Sequence, residues 1–182
     1  MAKENFKENR ESKKGARNQD KKSLDKFKKE FLNIQKIHGF PEFKLLNEDF
    51  GIEKIAEVET DYLLREIRKF MADKIYNYMR FVETLLHPVN APMFYFSILK
   101  SLGAEDKKLL NEIYKKLIKI EIELIEADVA YNEVKEIELI KLMFFVWQEI
   151  KEDTLRIIKT IKDNDNVKFD TSKSNSDKGY FG

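Results

Sequence analysis

Residues 61–86 read DYLLREIRKFMADKIYNYMRFVETLL, and their spacing decides the fold. Leu64, Ile67, Met71, Ile75, Tyr78, Val82 and Leu85 recur every three or four positions, the period of one face of an α-helix. His87-Pro88 closes the stretch, because proline disfavours a helical residue before it. The same period continues upstream. Leu24, Phe27, Phe31, Ile34 and Ile37 predict a first helix that Gly39 stops. Pro41 suits a first helical turn, with Phe43, Leu46 and Phe50 on one side and Gly51 behind. Ile52, Ile55 and Val58 set residues 52–59 against the body of the protein. Downstream, Asn90 reads as an N-cap, with Pro92 just inside, for a short apolar helix over Met93–Leu102 that Gly103 closes. Two long helices follow, from about Glu105 to Tyr131 and from about Glu133 to Lys162. No strand pattern competes with these stripes, and no segment repeats. The sequence therefore predicts an all-α antiparallel bundle, framed by three long helices and completed by shorter ones.

Composition brackets this bundle with two tails. Residues 1–23 hold eight basic and four acidic side chains and only Met1, Ala2, Phe6 and Ala16 as apolar ones. Such a segment cannot bury enough surface to offset its ordering entropy, so it reads as a flexible basic arm. From about Asp163 onward the chain is again poor in core formers, which predicts a disordered polar tail over 163–182. That leaves residues 24–162 as the helical domain. The formal net charge of +1 over 182 residues conceals this division, since the arm alone carries +4. Only six of the 34 basic residues are arginine, and the plentiful lysine, isoleucine and asparagine match an AT-rich genome. Zero cysteines exclude a disulfide scaffold, a thiolate zinc site and a cysteine nucleophile. No apolar run is long enough for a membrane span, and the N-terminus lacks the apolar stretch of a signal peptide, so a cytoplasmic location is expected.

The informative residues are those that fall on the wrong side of their helix. Lys74 lies inside the apolar arc of the helix from Asp61, and Glu121 and Asp128 lie inside that of the helix from Glu105. A buried carboxylate needs a partner, so Lys74 or Arg68 should face Glu121 and Asp128 in a buried ion pair. In the last helix Glu136 and Thr154 share a line with Met143, Trp147 and Ile150. Glu121, Asp128 and Glu136 could instead form an oxygen site for magnesium or manganese, although the ion pair is the preferred reading. A ferritin-like di-iron site is excluded, because no Glu-x-x-His pair exists. Glu123 and Glu126 have the spacing used by all-α nucleotide pyrophosphatases but fall on the polar side. No P-loop, dinucleotide fingerprint or HExxH motif is present, and no cofactor is expected. His38 and His87 both stand at helix ends, where an imidazole interacts with terminal carbonyls.

The reverse misfit is apolar. Leu142-Met143-Phe144-Phe145-Val146-Trp147 is too long a run for one helical face, and Phe145 projects among Glu138, Lys141, Glu149 and Glu152 with Leu142 at its flank. Either the first helix or the Met93–Leu102 helix covers Phe145, or it meets a partner. A third feature is a mixed strip of Tyr62, Arg65, Lys69, Tyr76 and Arg80 on one solvent side of the helix from Asp61. Such a strip could serve a phosphate backbone and its bases. Asp73 and Glu83 stand close enough to pair with Lys69 and Arg80, however, which is ordinary helix-surface chemistry.

Leu63-Leu64-Arg65-Glu66-Ile67-Arg68, Asn90-Ala91-Pro92-Met93-Phe94, and Ile122-Glu123 with Asp128 resemble uncharacterised small all-helical proteins of archaea, over Thr60 to Ile161. The resemblance implies a cytoplasmic, archaeal-type context and no particular activity. The residues themselves favour a non-enzymatic interaction module that binds a protein partner or self-associates through Leu142 and Phe145. The second reading is an RNA- or ribosome-associated protein, in which Lys13, Lys14, Arg17, Lys21 and Lys22 of the arm and Arg65, Lys69 and Arg80 of the strip contact phosphates. A magnesium-dependent hydrolase comes third.

Overall fold

Each apolar stripe becomes a helix because its period lets one face leave water at once. The computed structural model describes residues 22–58, 60–89 and 91–163, and no strand occurs among them. Helix α1 covers 22–38, α2 Phe43–Phe50, α3 Leu63–Leu86, α4 Met93–Ser101, α5 Ala104–Val129 and α6 Glu133–Asp163, with a 3-10 turn over Ile52–Glu57. The protein is an all-α bundle, as its sequence predicts. Two boundaries differ from the composition. Lys22 and Ser23, assigned to the arm, belong to α1, and α6 extends through Asp163. The rest of the arm, the tail from 164 and the candidate cap Asn90 lie outside the described residues.

Local chemistry sets the helix ends. Gly39 and Gly51 close α1 and α2 with φ of +64° and +68°, a left-handed conformation that glycine adopts without a Cβ penalty. The Asn132 side-chain oxygen accepts from the amides of Val134 and Lys135 at 2.9 and 3.2 Å and so caps α6. Gly103 does not merely close α4. It opens α5, and its N–H donates to Asp106 Oδ2 at 3.1 Å.

Helices α3, α5 and α6 form the frame, about 36, 39 and 46 Å long at 1.5 Å per residue. Arg68 meets Asp128 while Tyr114 meets Glu83, so α5 runs antiparallel to α3. Lys116 meets Glu149 while Lys135 meets Glu123, so α6 runs antiparallel to α5. The core between them is filled by Ile67, Met71 and Ile75 of α3, Leu117, Ile120 and Leu124 of α5, and Ile140, Met143 and Trp147 of α6. Helices α1 and α2 are joined by edge-on phenylalanines, with the Phe43 ring 5.8 Å from Phe27 and 5.4 Å from Phe31. Phe50 of α2 then packs on Trp147 at 5.9 Å. No helix of the described residues is long and apolar enough to cross a membrane.

Candidate functional site

Charge enters the core through α3. Arg68, 2% exposed, donates from Nε to Glu136 Oε2 at 2.6 Å and from Nη2 to Asp128 Oδ1 at 2.7 Å. Glu136 is fully buried in the first turn of α6, whereas the Asp128 side chain at the end of α5 remains 56% exposed. Burial opposes the Arg68 charge, but the hydrogen bonds it donates to Asp128 and Glu136 outweigh it and raise the guanidinium pKa. Asp128 thus finds one of its two expected partners, and the second carboxylate of the cluster is Glu136.

Lys74 and Glu121 are not in that cluster, contrary to the pairing expected from the helical wheels. Lys74 lies beside α2 and Trp147 of α6, where its Nζ donates to the backbone carbonyl of Asp49. The ammonium also sits 4.2 Å from the Trp147 ring centre and 5.4 Å from that of Phe50. Desolvation lowers its pKa despite the attraction of Asp49. Glu121 stays half-buried, and with Asp128 it adds negative charge near Tyr76, whose phenol burial already pushes upward. Asp49 forms its own node, accepting from Lys151 Nζ at 2.6 Å and Gln148 Nε2 at 2.7 Å. Burial raises its pKa, but these hydrogen bonds win and hold the carboxyl below its usual range. Among the described residues, no group of three or more histidine, aspartate or glutamate side chains is placed to hold a metal ion.

The mixed strip on α3 is broken up. Lys69 pairs with Glu66 at 2.9 Å, Tyr62 meets Tyr131 edge-on at 5.9 Å, and Arg65 and Tyr76 are half-buried. Arg80 stands exposed, as does Lys22 at the start of the described α1. Lys13, Lys14, Arg17 and Lys21 lie outside the described residues.

The apolar misfit is displayed openly. Phe145 is 59% exposed and Leu142 38% exposed, so neither α1 nor α4 covers them. Phe144, its neighbour, is buried and meets the Phe145 ring edge at 5.8 Å. A second exposed apolar face lies on α5, which the sequence shows only as one side of an unusually wide apolar arc. Ile122, Ile125 and Val129 are each more than half exposed, and half-buried Ile118 precedes them in the same line. The buried residues of α5, Leu110, Ile113, Leu117, Ile120, Leu124 and Ala127, occupy the other side of the helix. Helix α5 therefore carries two apolar seams, of which the bundle uses one. Compared with known proteins, the chain matches no family model, no curated protein and no solved structure.

Proposed function

We propose that the protein is a non-enzymatic helical interaction module, which binds a protein partner or a second copy of itself and uses Leu142 and Phe145 as contact residues. One observation carries this reading: Phe145 stands in solvent on a bundle whose core is complete without it. Monomeric surfaces carry scattered apolar residues, but an aromatic ring with an apolar flank on a rigid helix is the kind of anchor an interface buries. The charged residues support the same choice, because Arg68, Asp49 and Lys74 are committed to partners within the chain.

A capture experiment from lysate of the native host tests this, with the full-length protein beside a Leu142→Glu/Phe145→Glu variant and with and without nuclease. The module reading expects proteins that wild type retains, that the variant loses, and that nuclease does not release. Capture that survives in the variant would overturn the role of the two residues. Capture that nuclease abolishes would favour the RNA-associated alternative, with the basic arm and Arg80 as its contacts.

A further inference from the structure

The outer seam of α5 has the spacing of a coiled coil. Ile118, Ile122, Ile125 and Val129 are separated by four, three and four residues, which is the alternation of d and a positions in a heptad. Asn111 and Lys115 occupy the preceding d and a positions, so the apolar part is four residues long and spans about 16 Å. An inner seam explains why a helix in a bundle has one such line. Nothing in the bundle explains a second.

From this we infer that the outer face of α5 is a docking surface for a second copy of the chain, with the two α5 helices antiparallel about a two-fold axis. This rests on reading the protein as an interaction module and assigns self-association to a helix other than α6. The pattern matches itself in that orientation. An antiparallel pair layers a positions on d positions, so Ile118 meets Val129 of the partner subunit and Ile122 meets Ile125 of the partner subunit. The two-fold axis repeats both layers, and all four are filled with β-branched residues. Charge selects the same direction. Lys119 and Glu126 flank the seam on one side, and antiparallel pairing sets Lys119 beside Glu126 of the partner subunit twice over. On the other flank Glu121 faces Asp128 of the partner subunit, a carboxylate whose charge Arg68 already counters. Parallel pairing would instead set Lys119 beside Tyr114 of the partner subunit and Glu121 beside Glu126 of the partner subunit, which forms no ion pair across the seam. Four layers form a small interface, below about 1,200 Å² in total, so the association is reversible and depends on concentration.

Sedimentation of the full-length chain over a concentration series tests this. A monomer–dimer equilibrium is expected for wild type and loss of the dimer for Ile122→Glu/Ile125→Glu, with unchanged helicity as the control for folding. The Leu142→Glu/Phe145→Glu variant should still dimerise. If it dissociates while the α5 variant does not, copies meet through α6, and the α5 inference fails while the module reading stands. A wild-type chain that stays monomeric into the millimolar range also overturns it. Orientation has its own readout, since the chain has no cysteine to confuse it. A mixture of Ile118→Cys and Val129→Cys chains should oxidise to the mixed disulfide, with neither variant cross-linking alone. Cross-linking of each variant to itself would show a parallel pair and refute the proposed orientation.

Discussion

Replacing Arg68 with methionine removes one guanidinium and strands two carboxylates in very different surroundings. The Glu136 side chain has no exposure and, among the described residues, hydrogen-bonds to Arg68 alone, whereas Asp128 keeps more than half its side chain in water. Taking away one member of a buried ion pair costs about 3–5 kcal/mol, because the remaining charge must stay desolvated without compensation. Losing an exposed pair costs about 0–1 kcal/mol. Arg68→Met is therefore expected to lower unfolding stability by about 3–5 kcal/mol, nearly all of it through Glu136. For a domain of this size that corresponds to a fall in Tm on the order of 10 °C. Urea unfolding of four chains separates the contributions: Arg68→Met, Glu136→Leu, the double variant and Asp128→Asn. The double variant should lose less than the two single variants combined, since it leaves no stranded charge. Asp128→Asn should cost under about 1 kcal/mol. The reasoning is refuted if Arg68→Met unfolds within about 1 kcal/mol of wild type, or if Asp128→Asn costs as much as Glu136→Leu.

Other consequences are cheaper to check. The Asp49 carboxyl is held below its usual pKa, so its contribution is complete above about pH 4 and fades as the pH falls through the folded value. Asp49→Asn should cost about 1–2 kcal/mol at neutral pH and converge on wild type in acid, as followed by pH-dependent urea unfolding. Phe145→Ser should change stability by less than about 0.5 kcal/mol, whereas Phe144→Ala next to it should cost about 3–5 kcal/mol in the same assay. Gly51→Ala meets open space around its new Cβ but inherits a φ of +68°, so calorimetry should show a loss of about 1–2 kcal/mol from backbone conformation alone. The Lys74 ammonium titrates below its usual range, so stability should rise as alkaline pH carries it through the folded value toward the unfolded one. Lys74→Met should remove that rise in an alkaline unfolding series.

Helix positions were legible because periodicity and caps are local properties. The stripe from Leu64 to Leu85, the glycines at 39 and 51 and the boundaries of α5 and α6 all follow from spacing along the chain. Partner identity was legible only in part. A helical wheel gives the direction of a side chain but not which neighbour stands there. Lys74 does point inward, yet the neighbours it meets are α2 and Trp147 rather than α5. The wheels place Arg68 within reach of Asp128, whereas Glu136, visible on the Met143–Trp147 line, carries no local mark of the helix it faces. The exposure of Phe145 followed from the sequence as one of two alternatives, and the structure selects it. The second seam of α5 was hidden for a geometric reason. Its residues and the core residues merge into one wide apolar arc on a wheel, and only the packing of α3 and α6 shows where the core ends.

The Arg68 cluster also bears on which arrangement of helices the chain accepts at all. Apolar residues at three- and four-residue spacing look much alike one turn further on, and a core of isoleucine, leucine and methionine tolerates such a slip. Two buried charges do not. Sliding α6 by a turn along α3 would carry Glu136 about 5.4 Å from its partner and leave its carboxylate dry and alone, with Arg68 held by Asp128 of α5. A single pair, at the end of the bundle where α5 turns into α6, thereby singles out one packing from a family of near-equivalent ones.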